Sequence, residues 1–230
     1  MAIRLLATDY DGTFRITPSG TKFNKKAARM WRENGNLFGF VTGRGLDFTG
    51  LMKESGIEYD FLILNNGAVI TDGDGKIIYE SELSEEAFKL LESECEKIPD
   101  CERYSRFCEG EKRYLYYAYF DSPERVVEVA SYLNGKYGDK LNAVANGKNL
   151  NVMTANEDKS SGIKNLCRLF NVDECEIAVA GDDYNDIDML CRYNGFAVIN
   201  AKPAVKKAAG KQVFSVSSLI KSLLKQNNGE

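Results

Sequence analysis

Short, largely apolar runs alternate with helical patterns along this chain, and that alternation constrains the fold more than any other feature. Residues 3–8, 37–41, 61–64, 176–180, 196–199 and 212–215 read as strands, each too short to be a helix. Between and after them, residues 25–34, 46–55, 160–170, 187–193, 204–209 and 217–225 carry helical periodicity. Asn24 is placed to cap the first helix, and Gly35 and Gly56 stand just past the first and second. Strands joined through helices run parallel, and a parallel sheet must be covered on both faces. The expected fold is therefore α/β, a doubly wound, parallel Rossmann-like sheet. A small hairpin, residues 68–71 against 76–79, turns at Asp72-Gly73-Asp74-Gly75.

From Ser84 the texture changes to two successive helix-strand-strand units. Residues 84–98 form a helix stopped by Pro99, and strands 103–108 and 112–120 pair around Glu109-Gly110. Ser122 and Pro123 open a second helix to about residue 136, and strands 141–145 and 149–154 pair across Asn146-Gly147. The sequence thus predicts a discontinuous core, residues 1–82 and 155–230, carrying an inserted α+β cap at 83–154. The cap holds the aromatic run Tyr104, Tyr114, Tyr116, Tyr117, Tyr119 and Phe120, expected to pack on the two cap helices. Its basic residues Arg103, Arg106, Lys112, Arg113 and Lys148 are expected to be solvated, although any of them facing the crevice could bind an anion.

Composition removes several function classes. The chain has no histidine, so His triads, His bases and His metal ligands are all excluded. A net charge of −4 without a basic block gives nucleic acid no electrostatic footing, and none is expected as a partner. No apolar stretch approaches the ~20 residues that span a bilayer, and the first seven residues are too short an apolar run for a signal peptide. No membrane association and a cytoplasmic location are expected, and the six cysteines, none in a CxxC pair, are expected as free thiols. The sequence does not define an oligomeric state.

Four constellations fall just beyond the carboxyl ends of predicted strands, where a doubly wound sheet opens its ligand crevice. In Asp9-Tyr10-Asp11-Gly12-Thr13, extended backbone sends both carboxylates to one side. One carboxylate could attack phosphorus while the other moves a proton, although the fragment alone is more often a turn. Thr42-Gly43-Arg44 offers a hydroxyl and backbone N–H groups at a helix start, an oxyanion receptor or simply a strand-to-helix turn. Lys159 opens a helix from which an ammonium could reach a phosphate, though such a lysine is usually solvated. Gly181-Asp182-Asp183-Tyr184-Asn185-Asp186 clusters carboxylates directly after a buried strand. Carboxylates converging from these segments would repel one another unless a cation sat among them, and an all-oxygen site beside a phosphate favours Mg²⁺. Capping and solvation remain open for Asp183, Asp186 and Asp188.

Taken together and in this order, the four segments resemble the signature motifs of the haloacid dehalogenase superfamily, in particular its Cof-like, sugar-phosphatase type with a large α/β cap. Asn65-Asn66-Gly67-Ala68 and Ala197-Val198-Ile199-Asn200-Ala201 are similar to further signatures of that family. Tyr10 stands where an aliphatic residue or Phe is usual, and Ser160 where glycine commonly follows the lysine. The resemblance implies a Mg²⁺-dependent phosphomonoester hydrolase acting on a small phosphorylated metabolite, either a sugar phosphate or a phosphoglycolate-like ester, through an aspartyl-phosphate. It implies Asp9 as nucleophile and Asp11 as general acid and base. Metal ligation would fall to Asp9, Asp11 through its main-chain carbonyl, Asp182, and Asp186, which would ligate or orient metal-bound water. Thr42, Gly43, Asn66 and Lys159 would hold the phosphoryl oxygens. A phosphomutase or phosphotransferase of the same fold, and a non-catalytic phosphosugar sensor, are the alternatives; the short cap weighs against the first, and the presence of Asp9, Asp11, Lys159 and Asp182 together against the second.

Overall fold

The computed structural model describes residues 2–109 and 112–229, and for residues 103–109 the backbone alone. Its larger sheet has eight strands in the order β12-β11-β10-β1-β2-β3-β4-β5. β1 (Leu5–Thr8), β2 (Leu37–Val41), β3 (Phe61–Leu64), β10 (Ile177–Gly181), β11 (Asn194–Val198) and β12 (Gln212–Val213) run parallel. β4 (Val69–Asp72) and β5 (Ile77–Glu80) extend one edge as the antiparallel hairpin. After β1 the chain builds outward on one side through β2 and β3, then returns to build on the other through β10. The order reverses at β1, so the ligand crevice of such a sheet opens at its carboxyl end.

Alternation along the strands explains why both faces are covered. Leu6, Phe38, Phe40, Leu62, Leu64, Ala178 and Ala180 point into one layer with Trp31 of α1 (Pro18–Glu33), Phe48 and Met52 of α2 (Phe48–Ser55) and Ile220 of α8 (Val216–Asn227). Leu5, Ala7, Val41, Phe61, Ile63, Ile177 and Val179 point the other way. They meet Ile163 and Leu166 of α5 (Lys159–Phe170), Met189 of α6 (Ile187–Arg192) and Val205 of α7 (Pro203–Ala209). Each large side chain so buried contributes about 1.5–3 kcal/mol, which holds the helices to the sheet.

The first helix departs from its sequence reading. It begins at Pro18 with Thr17 as its cap, the Thr17 hydroxyl accepting from the Gly20 N–H at 3.1 Å. Asn24 lies inside it, fully buried. Its amide donates to the Phe14 carbonyl at 2.8 Å and its oxygen accepts from the Ser217 N–H at 2.8 Å. Tertiary partners satisfy a side chain that, in sequence alone, looks like a cap.

The second sheet is antiparallel, in the order β6-β7-β9-β8. It comprises β6 (Arg103–Glu109), β7 (Lys112–Tyr119), β8 (Leu141–Asn146) and β9 (Asn149–Thr154). One face, through Tyr116, Ala118, Leu150, Val152 and Leu141, packs on α3 (Glu85–Glu96) and α4 (Pro123–Tyr137). The other, with Leu115, Tyr117, Asn149 and Asn151, looks across at the carboxyl end of β1. Period-two alternation therefore divides the aromatic run: Tyr116 and Phe120 are core, whereas Tyr117 reaches the crevice. Tyr114 packs into the first layer of the large sheet, and its hydroxyl donates to Glu80 at 2.6 Å. The side chains of Arg103, Tyr104, Arg106 and Cys108 and the turn residue Gly110 lie outside the described residues. Lys112 and Arg113 pair with Glu80 and Glu85. No helix among the described residues is long and apolar enough to cross a membrane.

Candidate active site

Backbone hydrogen bonds of the sheet set the position of each acidic group. Thr8 is in register with Ala180 and Phe40, and the Asp9 N–H donates to the Ala180 carbonyl at 2.9 Å. Asp9 is thus the first residue past the end of the central strand, with 6% of its surface exposed. Asp158 caps α5, accepting from the Ser161 N–H at 2.6 Å, and this places Lys159 at the first helical position, buried. The Lys159 ammonium donates to Asp9 Oδ1 at 2.7 Å and to Asp186 Oδ1 at 2.6 Å.

Asp186 is fully buried, and its other oxygen accepts from the backbone N–H groups of Asp182 and Asp183 at 2.9 and 3.0 Å. Both of its oxygens are therefore engaged in shaping the loop after β10 and in holding the ammonium. Asp182, half-buried, accepts from the Thr13 hydroxyl at 2.6 Å. Asp9, Asp182 and Asp186 each bring a carboxylate oxygen within 4.8 Å of the others, a spacing one metal ion can bridge.

The charges do not balance. Three carboxylates face a single ammonium, which leaves a surplus of negative charge in a dry place. Burial, only partly offset by Lys159, raises Asp9 well above the usual carboxylate range, with Asp186 and Asp182 adding to the rise. Burial likewise pushes Asp182 up to about 6, against the Thr13 hydrogen bond and with help from Asp186 and Asp183. For Lys159, burial alone would lower the pKa, but the Asp186 and Asp9 carboxylates outweigh it and hold the amine protonated. Lys159 is a charged ammonium because two buried carboxylates face it, whereas Asp9 shares that one cation with Asp186.

Asp11, two residues on, is half-exposed and differently held. Arg44 Nε and Arg15 Nη2 contact it at 2.6 and 2.7 Å. Burial would raise its pKa, but the two guanidinium groups more than compensate and lower it. Both guanidiniums also lie over the Tyr10 ring, at 5.8 Å for Arg15 and 5.7 Å for Arg44. The sequence motifs contain Arg44, but its contact with Asp11 depends on a loop return that no spacing reveals. Arg15, four residues after Asp11, is the only part of that clamp with a local signal.

Thr42 is buried at the end of β2, and Gly43 follows it into the cavity wall. The Asn66 amide packs against Gly43, where an added Cβ would lie 3.1 Å from Asn66 Oδ1. Asn66 is 1% exposed, and neither its amide nitrogen nor its oxygen has a hydrogen-bond partner among the described residues. A buried amide left so costs about 1–3 kcal/mol.

These groups surround a cavity of about 330 Å³, near the lower end of the ~300–1,000 Å³ usual for small-molecule sites. Asp9, Asp11, Thr42, Gly43, Arg44 and Lys159 line its floor. Tyr117, Asn146, Asn149 and Asn151 of the second sheet form part of its roof. Asn66 opens instead on an adjoining cavity of about 280 Å³ that shares Lys159 and Asn185 with the first. The structure thus gathers Asp9, Asp11, Thr42, Gly43 and Lys159 around one space, with Asp182 and Asp186 behind Asp9 and Asn66 to one side.

Fold and site together define a doubly wound α/β protein with a carboxylate-rich crevice at the carboxyl end of its sheet. A family model described as haloacid dehalogenase-like hydrolase matches residues 6–119 and 102–218, and the chain belongs to that family. Its curated relatives include the 5-amino-6-(5-phospho-D-ribitylamino)uracil phosphatase YbjI of Escherichia coli, 26% identical, with 91% of this chain and 90% of that protein covered. A phosphoglycolate phosphatase of Archaeoglobus fulgidus is 30% identical, with 90% and 88% covered. Among solved structures, a HAD/COF-like hydrolase from Plasmodium vivax superposes with a TM-score of 0.82 at 21% identity, covering 97% of this chain and 96% of that one. BT1666 from Bacteroides thetaiotaomicron gives 0.81 at 20% identity, covering 99% and 96%. The protein is accordingly an enzyme of the phosphatase kind.

Proposed function

We propose that this protein is a Mg²⁺-dependent phosphomonoester hydrolase that acts on a small phosphorylated metabolite in the cytoplasm, with an aspartyl-phosphate formed on Asp9. The single observation that carries the reading is the seat of Asp9: buried at the end of β1, 2.7 Å from the Lys159 ammonium and within bridging distance of Asp182. Surplus negative charge among Asp9, Asp182 and Asp186 fits a divalent cation. Asp9, Asp182 and the Asp11 main-chain carbonyl would hold it, and Asp186 would hold the loop that presents Asp182. When bound, the ion would offset that charge and polarise the phosphoryl group.

Each residue has its own share of the work. An Asp9 carboxylate oxygen attacks phosphorus, the bond to the ester oxygen breaks, and Asp11 gives that oxygen a proton. Lys159, Thr42 and the Gly43 N–H neutralise the transferring oxygens, with Asn66 assisting from the side. Asp11, now ionised, takes a proton from water, whose oxygen displaces Asp9 from phosphorus and frees inorganic phosphate. The guanidiniums of Arg44 and Arg15 favour the ionised Asp11 of this second half. Proton donation in the first half requires Arg44 to turn its charge to the incoming ester, which the shared cavity places beside it. The four-stranded sheet with its two helices acts as a cap that excludes water.

Purified protein with p-nitrophenyl phosphate and Mg²⁺ tests the proposal. Release of p-nitrophenol that chelation abolishes, and that Asp9→Asn lowers by at least ~10³-fold, is expected. An active Asp9→Asn variant would remove the nucleophile assignment, and no turnover of any phosphate ester would favour a non-catalytic sensor.

A further inference from the structure

Two sulfurs of the cap meet where α3 ends. The last turn of α3 carries Cys95, 2% exposed, in the core that the cap helices share with the cap sheet. Pro99 interrupts the chain just beyond, and two tight turns follow one another: the Ile98 N–H donates to the Cys95 carbonyl and the Cys101 N–H to the Ile98 carbonyl, both at 3.1 Å. These turns bring Ile98 and Cys101 against the same core, where the Cys101 and Cys95 thiols are hydrogen-bond partners. The Tyr116 hydroxyl lies beside the Cys95 sulfur as well. Among the described residues, the remaining thiols are placed differently. Cys167 donates to the Ile163 carbonyl at 2.9 Å, Cys191 contacts the Ala208 carbonyl at 3.7 Å, and Cys175 is exposed.

A thiol is a weak donor and a weak acceptor, so the contact adds little to the packing of the cap. Its chemical content is larger, because each sulfur sits where it can attack the other once one is oxidised. The hydrogen bond from Cys101, against burial and with Tyr116 in support, holds the Cys95 thiol below its usual range, whereas the same bond and burial push Cys101 up. Cys95 is thus the better nucleophile and Cys101 the resolving partner. Access comes from the Cys101 side, which is half-buried and leaves room for an oxidant as small as hydrogen peroxide. Cys101 also lies between α3 and β6, outside any helix or strand, so its side chain can turn toward Cys95 without breaking a ladder.

We infer that Cys95 and Cys101 form a peroxide-sensitive dithiol site, whose oxidation to an intramolecular disulfide staples the end of α3 to the approach to β6. The Cys95 sulfur attacks one peroxide oxygen, the O–O bond breaks, and the other oxygen leaves as water with the Cys95 thiol proton. The Cys101 sulfur then attacks the sulfenic sulfur of Cys95. The S–O bond breaks, and that oxygen leaves as a second water with its own hydrogen and the Cys101 proton. Two thiols have given two electrons to one peroxide, which becomes two waters. The site lies on the helix side of the cap sheet, so the inference does not depend on the hydrolase reading.

Peptide mapping after peroxide treatment of the native protein decides the matter. Trypsin cuts after Lys89, Lys97 and Arg103, so the bond joins peptides 90–97 and 98–103, which carry one cysteine each. With the remaining thiols blocked by N-ethylmaleimide, the joined pair is expected to form at least ~10-fold faster than Cys175 and Cys191 are oxidised, although those are more exposed, and to vanish on reduction with dithiothreitol. Cys101→Ser should strand Cys95 as a sulfenic acid that dimedone captures, an adduct the unmodified protein does not yield. Closure of so short a loop should also raise the melting temperature of the oxidised protein by about 5 °C. Oxidation no faster than at Cys175 and Cys191 overturns the inference, as does sulfinic acid on Cys95 of the unmodified protein. A link from either peptide to 107–112, which carries Cys108, overturns it too, and a disulfide that leaves the melting temperature unchanged overturns the staple.

Discussion

Gly12 and Asp182 fit against each other with no room for a methyl group: a Cβ on Gly12 would lie 2.3 Å from Asp182 Oδ2. The contact is held from both sides. Asn200 donates to the Gly12 carbonyl at 2.7 Å, and the Lys202 N–H donates to the Asp182 carbonyl at 3.0 Å. Gly12 also sits at a φ of +86°, a left-handed conformation that costs a side chain roughly 1–2 kcal/mol.

Gly12→Ala should therefore push Asp182 away from Asp9 while leaving every candidate catalytic group in the chain. Metal affinity and turnover are expected to fall about 10–100-fold, as when groups supporting a ligand are lost. Titration of activity with Mg²⁺ checks this: an unchanged half-saturating concentration would mean that Asp182 does not hold the ion.

Lys159→Met should cost stability as well as activity. The substitution strips two buried carboxylates of their common cation, and breaking a buried ion pair from one side typically costs about 3–5 kcal/mol. Urea unfolding at neutral pH should show a loss of that order, smaller at pH 5, where Asp9 takes up a proton more readily. A loss no greater than that of an exposed lysine would show the pair to be weak.

Metal binding and pH should be linked through Asp182. Its folded pKa of about 6 stands above the ~3.9 of an unfolded aspartate, so the metal-free protein binds the extra proton and has this group's full stability below pH 4. That contribution is lost as pH rises through 6. A bound cation removes the penalty, so stabilisation by Mg²⁺ should grow between pH 5 and 7. Urea midpoints with Mg²⁺ and with EDTA across that range test the sign: parallel curves would contradict it.

Much of this arrangement is legible in the sequence because strand ends are legible. An apolar run closed by Asp-x-Asp, by Thr-Gly-Arg or by Gly-Asp-Asp announces both the strand and the loop beyond it, and the parallel sheet then brings Asp9, Thr42 and Asp182 to one edge. Lys159 needs only the helix start beside it. The contacts that leave no trace in the sequence are those made by chain segments meeting in space. Asn24 has the composition of a cap but spends its amide on Phe14 and Ser217. Arg15 and Arg44 converge on Asp11 from different loops. The asparagine face of the cap depends on strand parity, but only once the order β6-β7-β9-β8 is known.

The two passages between the sheets lie side by side, with the Ser81 and Thr154 hydroxyls 2.9 Å apart and the Tyr79 hydroxyl 2.6 Å from Glu157. β1 must find β10 some 170 residues away, a separation that ordinarily makes folding slow. Once the insertion has folded, its ends stand almost together, and the loop that remains to be closed is shorter by most of its length. The entropy of closure then depends on the remaining core segments, and the inserted unit, for all its size, acts on the assembly of the large sheet much as a tight turn would.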